Sequence, residues 1–125
     1  MTLLLDRGYL PVLCPPAASY EGEAVNVDGD TASAMLAAAV KADEFIMLSN
    51  VPGLLRDLDD PASLVARIAA KAIEDFMPLA QGRMKRKLMA AAIALGAGVG
   101  RVILAGANVE CPVTSALAGH GTVIQ

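Results

Sequence analysis

Apolar and polar residues follow one another along this chain in blocks that predict short strands and helices. Residues 2–9 look like the last turns of a helix that ends at Gly8, since glycine is a common C-terminal cap. The apolar run at residues 10–14 predicts a short buried strand stopped by the two prolines that follow it. A second strand is expected at about residues 23–27.

The middle of the chain predicts a helix followed by the clearest strand. Strong helix formers fill residues 32–40, so we expect a helix to about residue 41, with Asp28 or Asp30 as its N-terminal cap. Residues 44–48 form an unbroken, mostly apolar run and predict a buried strand that opens into a turn at residues 49–53.

The second half of the chain predicts six more elements after a polar loop that ends at Pro61. Leu64, Val65 and Ile68 recur at helical spacing behind that proline and indicate a helix. The remaining elements are expected in this order: a short helix at residues 69–76, a helix at about 82–95, a strand at 101–105, a helix at 108–117 and an edge strand at 121–124.

Alternation of strands and helices in one uninterrupted unit predicts the fold class. We expect a single α/β domain over residues 1–125, with a mostly parallel sheet and helices on both faces in a three-layer α/β/α arrangement. The composition agrees, because 55% hydrophobic residues are enough for a buried core. With only 3% aromatic residues and no Trp, that core must consist of Ala, Leu, Val, Ile and Met.

Charge and hydropathy exclude several classes of protein. The mean hydropathy is +0.52, but every apolar run is broken before the roughly 20 residues that span a bilayer, so we expect a soluble, cytoplasmic protein. A net charge of −3 argues against a nucleic-acid partner. Cys14 and Cys111 stand far apart without a ligand partner at suitable spacing, so we expect two buried thiols and no metal site.

Polar residues concentrate at residues 26–35, where a predicted strand ends and a helix begins. This is the place where open α/β sheets bind ligands. From spacing alone, Asp30 is equally well explained as a helix cap, and Lys87, within a run of cations at residues 83–87, as part of a solvated helix face. The same cations could receive an acidic partner, whereas His120 fits a loop residue without a catalytic task.

Five segments occur in the order found in the amino acid kinase superfamily, and the chain is most similar to its acetylglutamate kinase branch. Within that branch, the basic segment and the Ser-Asn-Val-Pro-Gly turn look most like carrier-protein-linked aminoadipate kinases. The segments that carry the resemblance are residues 8–12, 26–30, 49–54, 82–87 and 121–123.

The resemblance implies a carbamate kinase-like C-terminal lobe that binds ATP and Mg²⁺. It implies transfer of the γ-phosphoryl group to the side-chain carboxylate of an N-blocked acidic amino acid, in arginine or lysine biosynthesis. Asp30 would organise the phosphate-binding lysines, and Lys87 would be one of them. Asn26 and Asp28 would bind the amino acid substrate. The nucleotide would lie at Ser49, Asn50, Val51, Gly53, Leu54 and Met84.

Members of this superfamily also have an N-terminal lobe with a Lys-x-Gly-Gly segment, and no Gly-Gly pair occurs here. We therefore expect a nucleotide-binding half of a longer kinase, with little activity of its own. The expected partners are an acidic acylamino acid, either free or on an acidic carrier protein, and a second copy of the chain. A non-catalytic interaction module or an amino-acid-sensing module on the same fold are the alternatives.

Overall fold

The computed structural model describes all of residues 1–125, which form five α-helices and six strands. The helices are α1 (Thr2–Asp6), α2 (Gly29–Ala39), α3 (Ile73–Phe76), α4 (Gly82–Gly96) and α5 (Pro112–Leu117). The strands are β1 (Ala17–Ala18), β2 (Ala24–Val25), β3 (Glu44–Ser49), β4 (Arg67–Ile68), β5 (Arg101–Gly106) and β6 (Thr122–Ile124). Single 3₁₀ turns occupy Pro61–Ser63, Ala70–Ala72 and Met77–Leu79.

A four-stranded sheet in the order β3-β5-β6-β4 forms the centre of the molecule. The pairs β3/β5 and β4/β6 are parallel, and β5/β6 is antiparallel, so the sheet is mixed and mostly parallel, as predicted. Ser49 pairs with Gly106 at the end of the β3/β5 ladder, so the carboxyl ends of the two longest strands lie side by side. In open α/β sheets this edge is the usual place for a ligand.

Helices cover both faces of this sheet, which confirms the three-layer arrangement. On one face, α2 and α4 pack against Phe45, Met47, Val102 and Leu104. On the other face, α5 packs against Ile103, Ala105 and Val123. These side chains point away from α2 and α4, because successive residues of a strand point to opposite faces of the sheet. The fold class is therefore the one that the sequence predicts.

Small residues bring α2 and α4 close together. The buried positions between them and the sheet are almost all alanines, so two helix backbones can approach without large side chains between them. These alanines are Ala34, Ala37, Ala90, Ala91 and Ala94. The close approach matters because a direct side-chain bridge can then join the two helices near their N-terminal ends.

The predicted strands at the start of the chain are largely wrong. Residues 10–14 form no strand, and Leu10 and Val12 are each 89% exposed. Prolines within and after this run supply no backbone N–H for a ladder. The strand expected at residues 23–27 shrinks to β2, which pairs only with β1 outside the main sheet.

The helix predicted behind Pro61 is also wrong. Leu64 forms a bridge to Leu55, and Ile68 lies in β4, where it pairs with Ile124 of β6. Pairing with a distant strand outweighs the local helical spacing. It also places β6 between β5 and β4, so β6 is not the edge strand that was expected.

Three smaller expectations need correction. The segment at residues 69–76 is a 3₁₀ turn followed by the single turn of α3. Helix α5 begins only at Pro112, where the fixed φ of proline suits a first helical position. Both Cys14 and Cys111 are exposed, not buried.

None of the helices combines the length and apolar character that crossing a bilayer requires.

Candidate functional site

An ion pair joins the first turn of α2 to the second turn of α4. The Nζ of Lys87 lies 2.7 Å from Oδ1 of Asp30, and the two side chains are only 15% and 24% exposed. A charge-assisted hydrogen bond of this length fixes the direction of the ammonium group. The structure thus brings together the two residues that the sequence resemblance places in catalytic roles.

Asp28, two residues before Asp30, is the N-terminal cap of α2. Its Oδ1 accepts hydrogen bonds from the backbone N–H and the hydroxyl of Thr31, each at 2.9 Å, and its Oδ2 lies 3.9 Å from Arg86. The backbone hydrogen bond from Thr31 is the main reason that the pKa of Asp28 lies below its usual value, with the Thr31 hydroxyl next. The cap role that the sequence left open between two aspartates therefore belongs to Asp28.

A cavity of about 460 Å³ lies between the end of β3 and the start of α4. A volume of this size is typical of small-molecule sites. Its walls include every residue that the resemblance assigns to the nucleotide, together with Lys87: Ser49, Asn50, Val51, Gly53, Leu54 and Met84. Arg83 and Lys87 are the only charged residues in its wall, so the cavity carries cations and no carboxylate.

The turn after β3 is held by hydrogen bonds of its own. Ser49 Oγ donates to the carbonyl oxygen of Val51 at 2.9 Å and accepts from the Val51 N–H at 3.3 Å. The N–H of Leu54 donates to Oγ1 of Thr122 at 2.8 Å, and Thr122 is fully buried. A Cβ on Gly53 would lie 2.6 Å from the same Thr122 oxygen. The glycine is therefore required by the approach of β6.

Thr122 is the residue that sequence reasoning missed. The resemblance includes the terminal Gly-Thr-Val segment, but nothing in the sequence indicates that the threonine hydroxyl anchors a turn 68 residues away. Its place directly after Gly121 in that segment is the only feature that the sequence offers.

Asn26 and Asp28 do not line the cavity. Asn26 is exposed and makes no side-chain hydrogen bond, and Asp28 faces Thr31 and Arg86. Asp30 also lies outside the wall and reaches the cavity only through Lys87. The predicted substrate roles of Asn26 and Asp28 remain predictions.

A second cavity, also about 460 Å³, lies on the other side of the same turn and shares Asn50 and Val51 with the first. Its polar groups include His120, whose Nδ1 lies 3.2 Å from the Ser115 hydroxyl. His120 stands in the loop between α5 and β6, as the sequence predicts.

No three His, Cys, Asp or Glu side chains gather into a metal-binding group anywhere in the chain.

The layered sheet, the helix pair and the cavity at the strand ends define an α/β fold that is known from solved structures. N-acetylglutamate synthase of Neisseria gonorrhoeae, complexed with coenzyme A and L-arginine, superposes with a TM-score of 0.85 at 27% identity; the match covers 98% of this chain and 29% of that chain. Carbamate kinase of Giardia lamblia, bound to AMP-PNP, gives 0.66 at 25% identity, covering 82% and 33%.

The sequence assigns the chain to a family within this fold. The model of the amino acid kinase family matches residues 1–106, and the chain belongs to that family. It is 57% identical to the LysW-aminoadipate kinase of Deinococcus radiodurans, over 98% of this chain and 42% of the relative. It is 39% identical to the acetylglutamate kinase of Methanopyrus kandleri, over 98% of this chain and 48% of the relative. The chain thus spans less than half the length of these relatives.

Proposed function

We propose that this chain is the nucleotide-binding lobe of an acylamino-acid kinase that uses ATP to phosphorylate the side-chain carboxylate of an N-blocked acidic amino acid, in arginine or lysine biosynthesis. The observation that carries the proposal is the Lys87–Asp30 pair at the wall of a cavity with no negative charge. The names of the relatives, LysW-aminoadipate kinase and acetylglutamate kinase, support the choice of reaction.

The proposed reaction brings two anions together, so it depends on cations more than on a base. A carboxylate oxygen of the substrate attacks the γ-phosphorus, the bond from that phosphorus to the β,γ-bridging oxygen breaks, and the products are an acyl phosphate and ADP. The carboxylate is already ionised, so no proton has to be removed. Catalysis then consists of positioning and of charge stabilisation.

In this proposal Lys87 supplies a fixed positive charge to the transferring group. Asp30 keeps the ammonium pointed in one direction before substrate binds, so little reorganisation is needed during transfer. The turn at residues 49–54 would hold the nucleoside, and Met84 would contact it from α4. These roles are the ones that the sequence resemblance implies for the same residues.

Mg²⁺ would accompany the nucleotide. Magnesium is usually held by the phosphates of the substrate with one or two carboxylates, and it neutralises negative charge as the phosphoryl group moves. The cation-lined cavity beside Lys87 fits a phosphate chain that brings its own metal.

The acyl substrate that we favour is aminoadipate attached to a carrier protein. The identity to a LysW-aminoadipate kinase, 57%, exceeds that to an acetylglutamate kinase, 39%. An acidic carrier would also meet an exposed cation next to Lys87 on α4, at Arg86. The chain matches less than half the length of these kinases, and we expect the acyl-binding pocket to lie in their remaining part. The chain alone should therefore have little or no kinase activity.

Thermal unfolding with Mg-ADP tests the nucleotide role. The wild-type chain should gain stability with ligand concentration, about 2.7 kcal/mol when ADP is present at 100 times its Kd. Lys87→Gln removes the charge but keeps a hydrogen-bond donor near Asp30, and it should weaken ADP binding at least tenfold. Lys71→Ala, which removes an exposed cation that does not line the cavity, should bind ADP as the wild type does. No response to ADP at millimolar concentration would refute the proposal.

An amino-acid-sensing module is the second candidate. It is favoured by the likeness to N-acetylglutamate synthase, which was solved with L-arginine bound. Stabilisation by arginine or lysine, combined with no stabilisation by ADP, would select this function instead.

A further inference from the structure

The two cations in the wall of the first cavity differ in how their charge is balanced. Lys87 lies 2.7 Å from Asp30, so the pair as a whole is close to neutral. Arg83 has no carboxylate within 4.0 Å, because the three ion pairs of the chain are Arg86–Asp28, Lys87–Asp30 and Arg101–Glu44. The uncompensated positive charge of the cavity therefore belongs to Arg83.

The position of Arg83 also relates it to Lys87. Both lie on α4, four residues apart, so their side chains leave the same helix face one turn from each other. No acidic residue occurs between Asp75 and Glu110 along the sequence, so α4 itself offers Arg83 no partner. A chain of phosphates that meets Lys87 inside the cavity would pass Arg83 at its mouth.

We propose that Arg83 binds the phosphate chain of the nucleotide and makes the cavity selective for nucleoside di- and triphosphates over the nucleoside; this assignment rests on the nucleotide role proposed above. A guanidinium group can donate two parallel hydrogen bonds to a phosphate, whereas its charge has no effect on an uncharged nucleoside. Lys87 acts on the transferring group, and Arg83 holds the rest of the chain.

Lys85 provides a matched control. It stands two residues further along α4, carries the same charge, is exposed and has no ion-pair partner, but it does not line the cavity. Removing either cation changes the net charge of the chain by the same amount. A difference between the two variants therefore reports contact with the ligand and not the general field of the protein.

Calorimetric titration of the 125-residue chain with adenosine, AMP and ADP in the presence of Mg²⁺ tests the assignment. Arg83→Ala should weaken ADP binding about tenfold and adenosine binding less than twofold, because only the charged hydrogen bonds are lost. Arg83→Lys should recover part of the ADP affinity. Lys85→Ala should change the affinity for either ligand less than twofold at physiological salt.

Two results would overturn the assignment while leaving the nucleotide role intact. One is an equal loss of ADP affinity in Arg83→Ala and Lys85→Ala, and the other is an equal loss of adenosine and ADP affinity in Arg83→Ala. Failure of the wild-type chain to bind ADP would instead overturn the proposed function, and the assignment with it.

Discussion

Asp28 and Asp30 stand two residues apart at the start of α2, yet their carboxylates have different partners. Asp28 closes the helix end by accepting two hydrogen bonds from Thr31. Asp30, about half a helical turn further round, points across to Lys87 on α4. One residue thus starts the helix, and the other connects that helix to the cavity. Sequence spacing alone could not separate these roles, because either aspartate suits the capping position.

The capping role of Asp28 predicts a stability effect that depends on pH. Asp28→Ala should lower the Tm, and Asp28→Asn should lower it less, since asparagine is also a good cap. The pKa of Asp28 in the folded chain is lowered from 3.8, chiefly by the backbone hydrogen bond from Thr31. Its stabilising effect is therefore complete above about pH 4 and is lost as the pH falls through the lowered pKa.

Melting curves from pH 7 down to about pH 2 measure this effect. The difference in Tm between wild type and Asp28→Ala should stay constant at neutral pH and narrow in acid. Asp59→Ala, which removes a carboxylate that accepts no hydrogen bond, should differ little from wild type throughout. A difference for Asp28→Ala that persists unchanged in acid would contradict the capping explanation.

At the scale of elements, the local sequence pattern was sufficient to predict the longer helices and strands. It was insufficient to predict an element that forms only by pairing with a strand distant in sequence. The bounds of β3, α4 and β5 follow from continuous apolar runs or from helical spacing, and all three were predicted within about a residue. Strand β4 has two residues and exists because β6 pairs with it. No window of sequence around residue 67 contains that information.

In the candidate site, too, local features could be predicted from the sequence and contacts between distant elements could not. Its turn and its helix could be located from motifs, because each motif is local. The contact between Leu54 and Thr122 and the balance of charge between Arg83 and Lys87 could not, since both depend on how separate elements pack. The predicted contact of Asn26 with a substrate stays a prediction.

The packing of the turn against β6 predicts the effect of two glycine substitutions. Gly53→Ala would place a methyl group 2.6 Å from Oγ1 of Thr122 and should lower the free energy of unfolding by about 1–3 kcal/mol. Gly96→Ala, at the end of α4 with open space around it, should leave that free energy unchanged or raise it slightly. Urea denaturation measures both, and equal effects would show that the turn can move away from Thr122.

At the scale of the whole molecule, the sheet is well covered but the first fourteen residues are not. Leu3, Leu10, Val12 and Leu13 are all more than half exposed, and β3 forms an open edge of the sheet. Apolar surface and free strand edges of this kind favour association with another chain. The expected dimerisation therefore remains our prediction for the isolated chain.

Sedimentation velocity measures the association state. The wild-type chain should sediment as a dimer or larger species at micromolar concentration, and the double change Leu10→Ser with Val12→Ser should shift it towards the monomer. Substituting exposed Tyr20, which lies in the loop between β1 and β2, by Ser is the matched control and should have no such effect. A monomeric wild type would contradict the prediction.

The insertion of β6 between β5 and β4 has a consequence for the order of events during synthesis. Strand β6 follows the other three strands of the sheet along the sequence, and its Thr122 accepts a hydrogen bond from the turn that borders the cavity. While residues 122–124 are still inside the ribosomal exit tunnel, the emerging polypeptide lacks both its central ladder and that anchor. We therefore expect ligand recognition at this edge only after residues 122–124 have left the tunnel.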